Sequence, residues 1–72
     1  MGRQLDADAR QVLTLMAAGM MTDEVADRLG MTGEEVRRHL RAAMIVLGAR
    51  SKLEAVVIAL SLGLIDLPDV RR

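Results

Sequence analysis

The chain has 72 residues, about half of them apolar, with no cysteine, no Phe, Trp or Tyr, one histidine and a formal net charge of zero. This length allows one small domain, and the composition excludes a disulfide framework and a structural zinc site. The thin supply of β-branched and aromatic residues favours an all-α domain, for which oligomerisation is a common further source of stability.

The first two helices are predicted from their end signals. Asp6 is a good N-cap, and apolar residues follow it at helical spacing, which predicts a helix over residues 7–18. Thr22 is expected to cap a second helix over residues 22–29. Two turns of helix do not persist alone, so this second segment depends on its neighbours.

The spacing of Ala26, Gly30 and Val36 is typical of a helix-turn-helix. The alanine lets two helices approach closely, and the glycine permits the left-handed backbone that ends the first of them. The valine then fills the angle between the helices. We expect this unit, residues 22–41, to be the centre of the fold.

A capping box formed by Thr32 and Glu35 predicts a third helix over residues 33–47. At 100° per residue its apolar side chains share one face and its arginines spread over the opposite one. The apolar face contains Val36, Leu40, Ala43 and Leu47, and the outer face contains Arg37, Arg38, Arg41 and Ile45.

A second capping box, from Ser51 to Glu54, predicts a fourth helix over residues 52–62 that is apolar on nearly every side. Because so small a domain covers only one side of it, the other side is expected to meet a second copy. The helical wheel assigns Ala55, Ala59, Ile58 and Leu62 to that side. Residues 5–65 form the expected core of a single domain spanning residues 1–72, and residues 66–72 are expected to fray.

Charge is distributed unevenly although it sums to zero. Residues 1–35 carry a net −4, residues 36–52 a net +5 and residues 53–72 a net −1. Positive charge is therefore concentrated on the third helix and the loop behind it, as expected of a helix that approaches phosphates.

No apolar run approaches the ~18 residues of a membrane span, and residues 1–4 are too short and polar for a signal peptide. No nucleophile–base pair or glycine-rich phosphate loop is present. We therefore expect a soluble cytoplasmic protein that is not an enzyme, needs no cofactor or metal and does not contact membranes.

Three stretches in order, LDADARQVLTLMAAGM, DEVADRLGMTGEEVRRHLRAAMIVLGARSK and LEAVVIALSLGLI, resemble a known family. Over residues 5–65 the chain is similar to the DNA-binding domain of LuxR/GerE-type bacterial transcription regulators, including the turn glycines, the LGxxSK loop and the final GLI. The resemblance implies a compact four-helix bundle in which the third helix enters the major groove and the fourth forms a homodimer.

The resemblance also implies roles for individual side chains. Base edges or nearby phosphates are contacted by Arg37, Arg38 and Arg41, and the DNA backbone by Thr32, Ser51 and Lys52. His39 is interpreted as a packing residue with one nitrogen near the partner or the DNA. For the dimer contact, the resemblance places Ala55 and Ala59 inside the domain and leaves Val57, Ile58 and Leu62 outside. This assignment agrees with the helical wheel on Ile58 and Leu62. The expected interface is Ile58, Leu62, Val57 and Ala55.

Where the family usually has a basic or polar residue, this chain has Asp23, Glu35 and Val46. Each difference removes a phosphate contact or places a carboxylate near one. Two hypotheses follow. The first is a sequence-specific, homodimeric transcription regulator that binds double-stranded DNA, with RNA polymerase or another regulator as a further partner. The second is a protein-interaction module of the same fold with weakened or lost DNA binding. The sequence is compatible with a stand-alone protein and with a domain of a longer regulator.

Overall fold

Four α-helices make up the regular structure of residues 5–67, the part of the chain that the computed structural model describes. They are α1 (Ala7–Ala17), α2 (Thr22–Leu29), α3 (Gly33–Leu47) and α4 (Lys52–Ser61). The all-α, four-helix prediction is confirmed, and α1 and α4 are each one residue shorter than expected. Of the tail that was expected to fray, residues 68–72 lie outside the described residues.

Side-chain caps fix where the helices begin. The Asp6 carboxylate accepts a hydrogen bond of 2.8 Å from the Ala9 amide at the start of α1. At the start of α3, the Thr32 hydroxyl accepts from the Glu35 amide at 3.0 Å, and the Glu35 carboxylate accepts from the Thr32 amide at 2.9 Å. The capping box predicted there is confirmed, and it satisfies amides that the helix itself leaves unpaired.

The starts of α2 and α4 differ from expectation. Thr22 is the first helical residue and not the cap, because the extended backbone of the N-cap lies at Met21, whose side chain offers no oxygen. The Glu24 carboxylate instead accepts a hydrogen bond from the Met21 amide at 2.9 Å. At α4 the Ser51 hydroxyl caps Glu54 as predicted, but the Glu54 carboxylate accepts from the Arg50 amide, at 2.6 Å.

The turn between α2 and α3 has the predicted geometry. Gly30 adopts φ +68° and ψ +35°, the left-handed conformation that ends a helix at low cost only for glycine. The Met31 amide then donates to the Ala26 carbonyl at 2.9 Å, which closes the turn. Ala26 and Val36 are both buried in the same cluster beneath it, as the spacing predicted.

The core has two parts that meet at α1. Val12 is fully buried with residues of α2 and α3, whereas its neighbour Leu13 is fully buried with residues of α3 and α4. Met16 and Leu40 pack against both parts. Because one helix supplies both clusters, α1 holds the turn unit and α4 in one body, and the orientation of α3 is fixed from two sides.

The buried side of α4 corrects the expected interface. Ala55 and Ala59 are completely buried in the core of their own chain, where their small side chains let α4 approach α1 and α3. Ala55 therefore cannot contact a partner, and the helical-wheel assignment of that residue to the dimer surface is wrong. Within residues 5–67, none of the four helices combines the length and the apolar character that crossing a membrane requires.

Candidate nucleic-acid interface

The outward face of α3 carries the three arginines that were predicted to contact DNA. Val36, Ala43 and Leu47 are buried on one side of the helix. The opposite side exposes Glu34, Arg37, Arg38, Arg41, Ala42 and Ile45. The face is continuous because residues three, four and seven apart on a helix lie one above another.

Arg38 and Arg41 are the free cations of this face. Both side chains are exposed, and within residues 5–67 neither lies within ion-pair distance of a carboxylate. Each guanidinium offers five N–H donors in a planar fork, which matches phosphate oxygens and the O6 and N7 atoms of guanine. This pair is therefore available to bind an anionic or acceptor-rich partner without first breaking an internal contact.

Arg37 is held differently. Its Nη2 atom lies 3.6 Å from the Oε1 atom of Glu34, one turn nearer the start of α3. The side chain also folds back over Gly33, since a Cβ atom built on that glycine would lie 3.6 Å from Arg37 Nη2. Arg37 must leave the carboxylate before it can make a full set of contacts with DNA.

Thr32 and Glu35 close the N-terminal end of the same face. The pKa of the Glu35 carboxyl is lowered from its ordinary value of 4.5, chiefly because the Thr32 amide donates a hydrogen bond to it. The Thr32 hydroxyl and the charges of Arg38 and His39 act in the same direction, and desolvation opposes them. The Thr32 hydroxyl accepts one hydrogen bond and keeps its own proton as a donor, so it can still contact a phosphate.

Ser51 ends the turn from α3 to α4 and Lys52 is the first residue of α4, and both are exposed. The Ser51 oxygen accepts from the Glu54 amide at 3.0 Å, which orients the hydroxyl and leaves its proton free. Arg50 is exposed next to them. This turn adds cationic and hydroxyl groups beyond the C-terminal end of α3, where the sequence places the rest of the positive charge.

His39 lies away from the arginine face. Its side chain is 21% exposed, and its Nε2 atom is 3.7 Å from the Oδ2 atom of Asp8 on α1. The histidine therefore bridges α1 and α3, as a packing residue, and its assignment to the DNA surface is not supported by its position. Asp8 and His39 are 31 residues apart in the sequence, so no local pattern predicts this contact.

Val46 also faces inward. It packs against the core and lines a shallow groove with Leu5 and Ala9. The valine that stands in place of the family's common lysine therefore has a packing role. Asp23 and Glu24, in contrast, are exposed at the start of α2.

The exposed side of α4 is a second candidate surface. Leu53, Val57 and Leu62 are 72%, 51% and 63% exposed, and Ile58 is half-buried against the core. Leu53 was not assigned to the interface from the sequence, although its spacing of four residues from Val57 places the two on one face. Leu62 lies about 140° around the helix from Val57, with the exposed Glu54 and Ser61 between them. We call Leu53 and Val57 the α4 apolar surface, with Ile58 and Leu62 beyond its edge.

Within residues 5–67, no group of three or more histidine, aspartate and glutamate side chains is arranged to hold a metal ion.

Comparison with known proteins assigns this arrangement to a family. The sequence model for bacterial regulatory proteins, luxR family (GerE), matches residues 7–59. A solved structure described as that of the transcription factor GerE matches with a TM-score of 0.84 and 23% sequence identity, covering 89% of this chain and 96% of that chain. No curated protein sequence matches. The structural likeness shows that the two chains share their fold.

Proposed function

The chain belongs to the luxR family of bacterial regulatory proteins, and from this premise we propose that it regulates transcription by binding double-stranded DNA with α3 in the major groove. The observation that carries the proposal is the exposed face of α3, where Arg38 and Arg41 have no carboxylate partner within residues 5–67. A free guanidinium on a helix of this width suits the groove, which admits one α-helix.

The arginines and the hydroxyl groups divide the contacts between bases and backbone. Arg38, Arg41 and, once released from Glu34, Arg37 reach base edges or adjacent phosphates. Thr32, Ser51 and Lys52 lie at the two ends of α3, where they contact the sugar–phosphate backbone and fix the register of the helix. Contacts of the first kind give sequence preference, and contacts of the second kind give affinity that falls with salt.

A homodimer completes the proposed site. The α4 apolar surface exposes two large apolar side chains on a helix that already buries Ala55, Val56 and Ala59. Pairing two copies of α4 about a two-fold axis covers Leu53 and Val57, with Ile58 and Leu62 beyond Glu54 at the edge, and places two copies of α3 on successive half-sites. Dimerisation also offsets the small core of a chain of this length.

Selection from a random duplex library, followed by titration of the selected duplex at two salt concentrations, tests the proposal. The label is placed on the DNA, because the chain has no Trp or Tyr whose fluorescence could report binding. We expect an enriched palindrome and a binding constant that falls steeply as salt rises. Absence of binding at low salt, or binding with no salt dependence, would contradict the proposal.

A second function is favoured by the carboxylates beside the arginine face. Asp23 and Glu24 are exposed on α2, and Glu34 lies on the face itself with its carboxylate 3.6 Å from Arg37. These charges repel phosphate, so the same fold could serve as an interaction module that binds a second copy, RNA polymerase or another regulator. In that case self-association through α4 survives substitution of Arg38 and Arg41, and the selected library shows no enrichment.

A further inference from the structure

Ile45 is the most exposed of the large apolar side chains in residues 5–67, at 81%. It lies in the last turn of α3, but that turn is closed by the Gly48 amide, which donates to the Ile45 carbonyl, and by buried Leu47, so its exposure is not the result of a frayed end. No packing within residues 5–67 accounts for a branched apolar side chain at this position, and alanine would favour the helix more. A side chain this exposed is free to serve an external contact.

Ile45 shares its face with the free arginines. It follows Arg41 by four residues and Arg38 by seven, which places it about 40° and about 20° from them around the helix. At a rise of about 1.5 Å per residue it lies about 6 Å beyond Arg41 along the axis of α3, within reach of base pairs near the one that Arg41 contacts. Its neighbour Ala42 is also exposed and is too short to hold the Ile45 side chain away from an approaching surface.

Building on the proposed function, we propose that Ile45 is a specificity-determining residue that contacts the C5 methyl group of a thymine in the major groove. The thymine methyl is the apolar group that the edge of a base pair presents there, and an apolar side chain distinguishes it from the other bases. The bound half-site then contains an A·T pair near the position contacted by Arg41.

Charge complementarity favours DNA over a protein as the occupant of this face. Any partner that buries Ile45 also covers Arg38 and Arg41, which have no internal counter-ion among residues 5–67. DNA supplies phosphates to both guanidinium groups, and thymine supplies an apolar group beside them. The α4 apolar surface has no comparable pair of free cations on its own helix, where Lys52 is the one basic residue.

Replacement of thymine by deoxyuridine tests the contact, because it removes the methyl group and leaves base pairing unchanged. The selected duplex is prepared with each thymine replaced in turn, and its binding is measured with the unmodified chain, Ile45→Ala and Leu67→Ala. Leu67 is a matched control, an exposed apolar residue outside the helices. Circular dichroism verifies that each variant keeps its helices.

One replacement is expected to weaken binding of the unmodified chain about three- to fourfold, the effect of one buried methyl-sized group. Ile45→Ala should bind that duplex and its thymine parent equally, whereas Leu67→Ala should keep the difference. Binding that is insensitive to every replacement overturns this assignment alone. An Ile45→Ala variant that weakens self-association and leaves the thymine preference unchanged also overturns this assignment alone. Failure of the unmodified chain to bind any duplex overturns the proposed function as well.

Discussion

The Nη2 atom of Arg37 lies 3.6 Å from the Oε1 atom of Glu34, and both side chains are largely exposed on the outward face of α3. An exposed pair of this kind contributes little to stability, at most about 1 kcal/mol. Its importance lies in competition, because the carboxylate occupies an arginine that DNA would otherwise bind and also repels phosphate.

Glu34→Gln is therefore expected to strengthen DNA binding by about threefold at low salt, since it frees Arg37 and removes one negative charge from the face. Titration of the selected duplex at two salt concentrations measures the effect. Asp66→Asn makes the same change of charge far along the chain from α3 and should alter binding much less. An unchanged affinity for Glu34→Gln would mean that the carboxylate does not limit binding.

Arg41→Ala is expected to weaken specific binding by about 1–3 kcal/mol and to relax the preference at one base position, because a bidentate contact with guanine discriminates by that amount. Arg10→Ala removes an exposed arginine from α1 and is the matched control. Competition between the selected duplex and single-base variants measures both effects. Equal losses for the two variants would show that Arg41 contributes general charge and no sequence preference.

Val57→Asp is expected to raise the dimer dissociation constant by roughly a hundredfold, because pairing of two α4 helices would bury an unpaired carboxylate. Val57 suits the test better than half-buried Ile58, since it is 51% exposed and contributes less to the core of its own chain. Leu67→Asp adds the same charge at an exposed leucine outside α4. Sedimentation with interference optics measures association, and a Val57→Asp variant that stays dimeric would exclude this surface.

Met21→Ser is expected to stabilise the chain by about 1 kcal/mol, because the N-cap of α2 has no side-chain oxygen and serine would accept a hydrogen bond from an unpaired amide. Met21→Ala removes the same exposed methionine without adding an acceptor, and it separates capping from loss of the apolar side chain. Thermal unfolding followed by circular dichroism at 222 nm compares them. Equal melting temperatures for the serine and alanine variants would contradict the capping argument.

Acid should remove the contribution of the Glu35 cap. The folded-state pKa of this carboxyl is lowered from its ordinary value of 4.5, chiefly by the hydrogen bond from the Thr32 amide. A lowered pKa stabilises the folded state at pH values above about 4.5, and this contribution is lost as the pH falls through the folded-state pKa. Glu35→Gln should therefore be less stable than the unmodified chain at pH 7, with a difference that shrinks by pH 3. Melting temperatures at both pH values measure it, and a constant difference would contradict the assignment.

Most helix ends could be predicted because they depend on local chemistry. Asp6, Thr32 and Ser51 cap helices through amides three residues away, and Gly30 ends α2 through its own backbone conformation. These signals are contained in four or five consecutive residues, so they do not depend on the rest of the fold. Thr22 was misassigned because the same local rule fits a threonine at the cap and one at the first helical position.

The faces of α4 could not be chosen in the same way. After Lys52 at its start, only Glu54 and Ser61 are polar, so periodicity does not distinguish the buried side from the exposed one. The packing of α1 and α3 against α4 determines which side of α4 is buried, because the small side chains of Ala55 and Ala59 permit the close approach. The position of His39 beside Asp8 is likewise a consequence of how α1 and α3 pack, and it required the three-dimensional arrangement.

Glutamates at the third position of α2, α3 and α4 fold back onto the amides of Met21, Thr32 and Arg50, at 2.9, 2.9 and 2.6 Å. The start of a helix is ordinarily a place where a free anion can settle. Here a tethered carboxylate already lies at each of these three starts, so an incoming phosphate meets a like charge there. We expect this repulsion to weaken the binding of polyanions in general and to penalise least a ligand that also engages Arg38 and Arg41.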